Sequence, residues 1–197
     1  MTIKGRVLNP VTGQGIPNVP VVMYRSTLDY PSGSKRVKET TTNSEGYFEI
    51  SKASLSKCYL TCHVTEVGDY YIIGWEKKDD IPLFDAFTIS VKKGKTMHAD
   101  FYAVPYGNLQ ININNTSCFD SNDELKIYRT HSIVGFYDNV PNPAVYMGCI
   151  NQTGNMNKAP MGWYKYNGTV TKNGIVTAKR DSIYLSEGET KIWNINY

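Results

Sequence analysis

The stretch Thr40–Ile50, TTTNSEGYFEI, decides how this chain is read. A threonine run, rich in strand-forming side chains, meets Asn43, Ser44, Glu45 and Gly46. Tyr47-Phe48-Glu49-Ile50 then alternates, with Phe48 and Ile50 on one side. Polar residues this dense can mark a ligand site, a processing signal or a turn. The turn needs the fewest assumptions. Gly46 can take the left-handed conformation that closes a short hairpin at low cost. Asn43 can cap that turn with its side-chain carbonyl. The stretch therefore predicts a hairpin, with Asn43 and Gly46 as structural turn residues.

The same grammar extends outward. Ile3–Leu8, Val19–Arg25, Arg36–Thr42, Tyr47–Ile50 and Cys58–Glu66 read as strands, separated by Pro- and Gly-rich loops such as NPVTGQGIPN. Arg36–Thr42 is polar on both faces and suits a sheet edge. Phe87, Ile89 and Val91 share a face, Lys92–Lys95 (KKGK) reads as a second hairpin turn, and Met97, Ala99 and Phe101 then point inward. This is the period-2 pattern of half-buried antiparallel sheets. Val104–Asn108, VPYGN, breaks the pattern, and LQININ starts it again. Further strands are expected at Leu125–Thr130, Val145–Gln152, Gly162–Val170, Gly174–Ala178, Ser182–Leu185 and Thr190–Ile195. The expected fold is all-β: two antiparallel β-sandwiches, over 1–105 and 106–197, each of ordinary domain size.

Totals narrow the class. Hydrophobic residues make up 41% of the 197 residues and charged residues 20%, a globular composition. A net charge of +3 is too mild to argue for nucleic acid. No apolar run reaches the length of a membrane helix. The chain is strand-like by Ile3, and no leader is recognised in it. A cytoplasmic protein and a mature exported one both fit that start.

The first half resembles the carboxypeptidase regulatory-like domains of transthyretin-like fold. The residues that carry the resemblance are IKGRVLNPVTGQGIPNVPVVMY followed by TTTNSEGYFEI. Gly5 matches the central glycine of the family's first strand, Thr12-Gly13 its turn, and Gly15 to Pro17 its Gly-x-Pro step into a valine-rich strand. Thr42, Asn43, Gly46 and Phe48 match a later Thr-x-Asp-x-x-Gly-x-aromatic pattern, with Asn in place of Asp. The resemblance implies an immunoglobulin-like sandwich of seven strands. The second half, from YGNLQININN to ETKIWNINY, resembles envelope proteins of the Bacteroidetes type, in which such a domain precedes another sandwich. Together they imply an extracytoplasmic protein: periplasmic, an outer-membrane lipoprotein, or secreted.

Enzymes of this fold leave no trace. Intradiol dioxygenases carry a His-x-His pair for iron, and here His63, His98 and His131 stand apart. Hydroxyisourate hydrolases end in Tyr-Arg-Gly-Ser, whereas this chain ends WNINY. No nucleophile elbow, P-loop or dinucleotide fingerprint is present. No catalytic residue and no cofactor are expected.

Two binding candidates remain. Met161–Gly168, MGWYKYNG, gathers Trp163, Tyr164 and Tyr166, which could stack on sugar rings or anchor a protein. Alternate aromatics on a strand also simply fill a core. Phe119–Leu125, FDSNDEL, gathers Asp120, Asn122, Asp123 and Glu124, hard ligands that could hold calcium, although the EF-hand glycine is missing and a polar turn reads as well. Cys58 and Cys62 lie about 13 Å apart along one strand, too far to bond, and read as buried thiols. Cys118 and Cys149 could pair, since spacing alone does not fix pairing. Sequons at Asn114, Asn115, Asn151 and Asn167 matter only in a secreted eukaryotic protein. The expected role is a non-catalytic envelope or secreted binding, adhesion or structural protein with a protein or glycan partner. The alternative is a carbohydrate-binding module.

Overall fold

The structure is a computed structural model that describes residues 1–27, 33–53, 58–64, 67–76, 84–85, 88–133 and 141–197. Phe87 and the Thr65-Glu66 end of the fifth expected strand lie outside the described residues. The described residues contain strands and turns and no helix. They form two compact units, Met1–Val104 and Pro105–Tyr197.

The first unit holds β1 (Thr2–Leu8), β2 (Pro20–Thr27), β3 (Gly33–Thr41), β4 (Tyr47–Ser51), β5 (Cys58–His63), β6 (Tyr70–Glu76), β7 (Phe84–Asp85), β8 (Thr88–Ser90), β9 (Thr96–His98) and the start of β10 (Phe101–Asn114). One sheet runs β3-β2-β5-β8. The other is built on β1, antiparallel to β4 and parallel to β9 and then β10, with β6 and β7 beyond. Ile3, Val7, Phe48, Ile50, Trp75 and Phe101 of this sheet meet Val21, Met23, Leu60 and Cys62 of the first in one core. In β4 and β5 alternate residues are the buried ones, as the period-2 pattern requires.

The two expected hairpins are corners. β3 pairs with β2, whereas β4 pairs with β1, so Thr42–Gly46 carries the chain from one sheet to the other. Likewise β8 pairs with β5 and β9 with β1, so the Lys92–Lys95 turn also changes sheet. The physical reason is local. Thr42 is buried between the layers: its hydroxyl accepts from Val19 N–H at 2.9 Å and donates to Ile16 C=O at 2.7 Å. That clamp holds the end of β3 on the β1–β2 loop, and β4 is released to join β1. Asn43 shapes the corner, its Oδ1 accepting from the N–H groups of Glu45 (3.0 Å) and Tyr47 (2.9 Å).

The second unit continues β10 and adds β11 (Glu124–His131), β12 (Ala144–Met147), β13 (Asn151–Thr153), β14 (Asn157–Pro160), β15 (Gly162–Lys172), β16 (Ile175–Leu185) and β17 (Thr190–Asn196). VPYGN does not interrupt the chain, because β10 runs through it. Within this unit β10 pairs with β14 and β13 on one side and with β17, in parallel, on the other. The facing sheet runs β12-β11-β15-β16. Leu109, Ile113, Trp193 and Ile195 pack against Leu125, Ile127, Tyr164, Tyr166 and Leu185. Val145–Gln152 splits into β12 and β13 around Gly148 and Cys149, while Gly174–Ala178 and Ser182–Leu185 merge into β16. The tight hairpin of this unit is β15–β16. Its Asn173-Gly174 loop has both φ angles positive (46° and 71°), as a two-residue hairpin matched to strand twist demands.

Cys118 and Cys149, 31 positions apart in sequence, form a disulfide with Cα atoms 5.2 Å apart. Cys58 and Cys62 are free, and only Cys62 is buried. Burial pushes the Cys62 thiol up to about 12, so it stays protonated and inert. The loop that the Cys118–Cys149 bridge closes is long enough to remove unfolded-state entropy worth about 4 kcal/mol. Replacing both cysteines of the bridge by serine is therefore expected to lower the denaturant midpoint of the second unit. Equilibrium unfolding of oxidised wild type and the double variant checks this.

Candidate functional site

Strand alternation divides the aromatic trio. Tyr164 and Tyr166 are buried in the core, 1% and 3% exposed, while Trp163 on the opposite face is 44% exposed. Tyr164 donates to Pro160 C=O at 2.8 Å and Tyr166 packs on Trp193 at 5.4 Å, so both rings are committed to the fold. The expected three-ring platform is thus replaced by another pair. Tyr184 of β16 stands directly opposite Trp163 in register. Their ring centroids are 5.3 Å apart at 61°, an edge-to-face arrangement. Lys165 lies along the same face with Nζ 6.0 Å from the Trp163 ring. Beyond it come Asn167 and its cross-strand neighbours Tyr128 and Arg180. Because residues two apart share a face, Trp163, Lys165 and Asn167 form one stripe. Tyr184 was missed because its partner is set by register with β16, which the sequence does not print.

This face is held firmly at one end. Ser132 Oγ accepts from Trp163 N–H at 3.0 Å, and Ser132 N–H donates to Trp163 C=O at 3.0 Å. His131 packs edge-on against Tyr164 at 4.4 Å, and its Nδ1 accepts from Ile133 N–H at 2.9 Å. Burial lowers the His131 pKa to about 4, against the smaller upward pull of the Pro160 carbonyl. In the unfolded chain the imidazole takes its proton near pH 6.5. Between those values the unfolded state binds a proton that the fold refuses. Stability present above pH 6.5 is therefore lost as pH falls to about 4, with no further loss from this group below. Urea midpoints at a series of pH values should decline over that window in wild type and more shallowly in His131→Asn. Parallel curves would remove His131 as the cause.

The acidic loop does not gather its side chains on one point. Asp123 is fully buried, and its Oδ2 accepts from Asn115 Nδ2 and from Phe119 N–H, each at 2.8 Å. Desolvation opposes its charge, but these hydrogen bonds and nearby Lys172 win, and its pKa is lowered. Asp120 closes its own turn, accepting from Asn122 N–H at 2.7 Å, and Asn122 is exposed. Glu124 lies on β11 opposite Met147 and Thr171. Among the described residues no group of three or more His, Cys, Asp or Glu could hold a metal ion.

A groove of about 680 Å³ in the first unit is lined by Arg6, Asn43, Tyr47, Glu49, His98 and Asp100 among others. Several of its polar groups already serve the fold. The Arg6 guanidinium lies 4.9 Å over the Tyr47 ring and donates to Glu45 C=O, and Asp100 Oδ1 accepts from Arg6 N–H at 2.8 Å. Glu76 accepts from Tyr102 Oη at 3.4 Å, and burial with the neighbouring carboxylates raises that phenol to about 12. His63 meets Thr61 Oγ1 at 2.8 Å, two residues along one strand, with its ring on Tyr24 at 4.6 Å. Burial lowers its pKa, so it is a neutral strand-surface imidazole near pH 7.

No protein-family model matches the chain, and no curated protein matches it. Solved structures are similar to it in fold. A Streptococcal ancillary pilin aligns at 13% identity and TM-score 0.36 over 100% of this chain, which spans only 62% of that one. A DUF3823 family protein from Bacteroides uniformis aligns at 9% identity and TM-score 0.33 over 94% of this chain and 98% of that one. The shaft pilin SpaA from Lactobacillus rhamnosus GG aligns at 10% identity and TM-score 0.35 over 100% and 96%. At these scores the likeness carries no argument about activity, which must come from the site itself.

Proposed function

We propose that the chain is a non-catalytic, extracytoplasmic β-sandwich protein that binds a partner through the outer face of β15 and β16. The observation that carries this reading is the exposure of Trp163, paired with Tyr184, on a strand whose other aromatics are buried. A half-exposed tryptophan on a stiff sheet offers a large apolar contact at little entropic cost. The Cys118–Cys149 bridge supports an oxidising compartment. The carboxypeptidase regulatory-like resemblance of the first unit supports the same placement, with Asn43 and Gly46 acting as its structural corner.

A glycan is the second reading. Trp163 and Tyr184 present rings, Lys165, Asn167 and Ser182 present donors and acceptors, and that mixture suits a sugar with one apolar face and a hydroxyl rim. A glycan-array screen of wild type and Trp163→Ala separates the readings. Loss of a stacking ring is expected to weaken binding about tenfold, equivalent to about 1.4 kcal/mol. Thermal stability should hardly move, because the ring is exposed. No wild-type binding to any glycan removes the sugar reading and leaves a protein partner. An unchanged affinity in Trp163→Ala removes the face itself.

A further inference from the structure

Asn115, Asp123 and Lys172 meet in the second unit in an arrangement the binding role does not use. Asn115 follows β10, Asp123 precedes β11, and Lys172 ends β15. Lys172 Nζ donates to Asn115 Oδ1 at 2.7 Å. On the other side of the same amide, Asn115 Nδ2 donates to Asp123 Oδ2 at 2.8 Å and to Gly148 C=O at 3.0 Å. Asp123 is fully buried, and its Oδ1 has no hydrogen-bond partner. A buried carboxylate oxygen left open costs free energy that a purely structural turn has no reason to spend.

We propose that Lys172 and Asn115 become joined by an intramolecular isopeptide bond, with Asp123 as the proton carrier. Nζ attacks Cγ of Asn115, the Nζ–Cγ bond forms, the Cγ–Nδ2 bond breaks, and one ammonia leaves. Nothing is oxidised or reduced, and no co-reactant is needed. The ammonium on Oδ1 polarises the carbonyl before it reacts. Asp123 Oδ2 already touches Nδ2, the nitrogen that must gain a proton, and Oδ1 has no hydrogen bond to give up when the carboxylate takes the proton the amine sheds. Nζ has to move only from the lone-pair direction of Oδ1 to the face of Cγ, and holding the reactants this close replaces a bimolecular encounter.

The surroundings keep the three groups in place. Lys172 Nζ is also fixed by Ser117 C=O at 2.7 Å and by the Tyr197 ring at 5.4 Å. Asn115 N–H is tied to Ile150 C=O at 2.8 Å, and Asp123 C=O accepts from Gly148 N–H at 2.7 Å. The Cys118–Cys149 bridge lies within the same loops. The product would link positions 57 apart in sequence, so that β15 stays fastened to the end of β10 even when the disulfide is reduced.

Intact mass of the reduced full chain tests this. Wild type held at mildly alkaline pH is expected to lack the mass of one ammonia. Its tryptic digest should contain a branched peptide joining Asn115 to Lys172, with no cleavage after Lys172. Lys172→Arg, which keeps the charge, should show its full calculated mass, and Asp123→Asn should convert far more slowly. A full wild-type mass with normal cleavage after Lys172 overturns the proposal. So does an ammonia deficit without the branched peptide, since cyclisation of an asparagine to succinimide gives the same mass.

Discussion

Gly46→Val is expected to destabilise the first unit by at least about 4 kcal/mol, the range of a severe single substitution. Two costs add. Gly46 sits at φ +79°, where a β-branched residue is strained. A Cβ there would also lie 2.4 Å from Val7 C=O and 2.7 Å from Gly15 Cα, both backbone atoms that cannot swing away. Val7 N–H donates to Gly46 C=O at 2.9 Å, so relief of the clash would break the junction of β1 with the corner. Because the first added carbon already collides, Gly46→Ala should cost nearly as much. Gly94 is the control: its φ is +70°, but a Cβ there meets nothing within 4 Å. Gly94→Ala should therefore cost only the conformational term, about 1 kcal/mol. Chemical denaturation of the three variants measures the difference. Equal losses at positions 46 and 94 would mean the corner is not packed as described.

Trp75→Ala is expected to cost the first unit about 3–5 kcal/mol. Trp75 is fully buried, with Phe48 and Phe101 edge-on at 5.9 and 5.2 Å. Removing it leaves a cavity among residues of β1, β4 and β10 that sheet geometry prevents from closing. Trp75→Phe, which keeps one ring in the cluster, should lose less than half as much. Both values come from denaturant midpoints, and a Trp75→Ala loss near that of an exposed substitution would contradict the core drawn here.

The alternation along each strand was legible because side-chain period follows directly from backbone geometry. It placed Phe48, Ile50 and Cys62 on inward faces, where all three are buried, whereas Cys58, read as buried beside Cys62, is only half-buried. Pairing was less legible. Thr42–Gly46 and Asn173-Gly174 both read locally as turns, yet only the second returns a strand beside its predecessor. What separates them is the buried Thr42 hydroxyl bridging Ile16 and Val19, a contact over more than twenty positions. β6 carries no period-2 signal, because YYIIGW is apolar on both faces. The binding face was half legible: Trp163 is in the sequence, but its outward side and its partner Tyr184 depend on register. The meeting of Asn115, Asp123 and Lys172 carries no sequence signal, since three loop or strand-end positions converge only in the fold.

The chain has three tryptophans, and Trp75 and Trp193 are 0% and 4% exposed. Trp163 alone should therefore carry the fluorescence that acrylamide quenches. The direct test of the binding face is acrylamide quenching of wild type with and without a saturating array-identified glycan or purified protein partner, using Trp163→Phe as the reference. The account predicts that the quenchable fraction is lost in Trp163→Phe and shielded in wild type when the partner is bound. A partner that binds tightly while Trp163 remains as quenchable as before would show that recognition happens elsewhere.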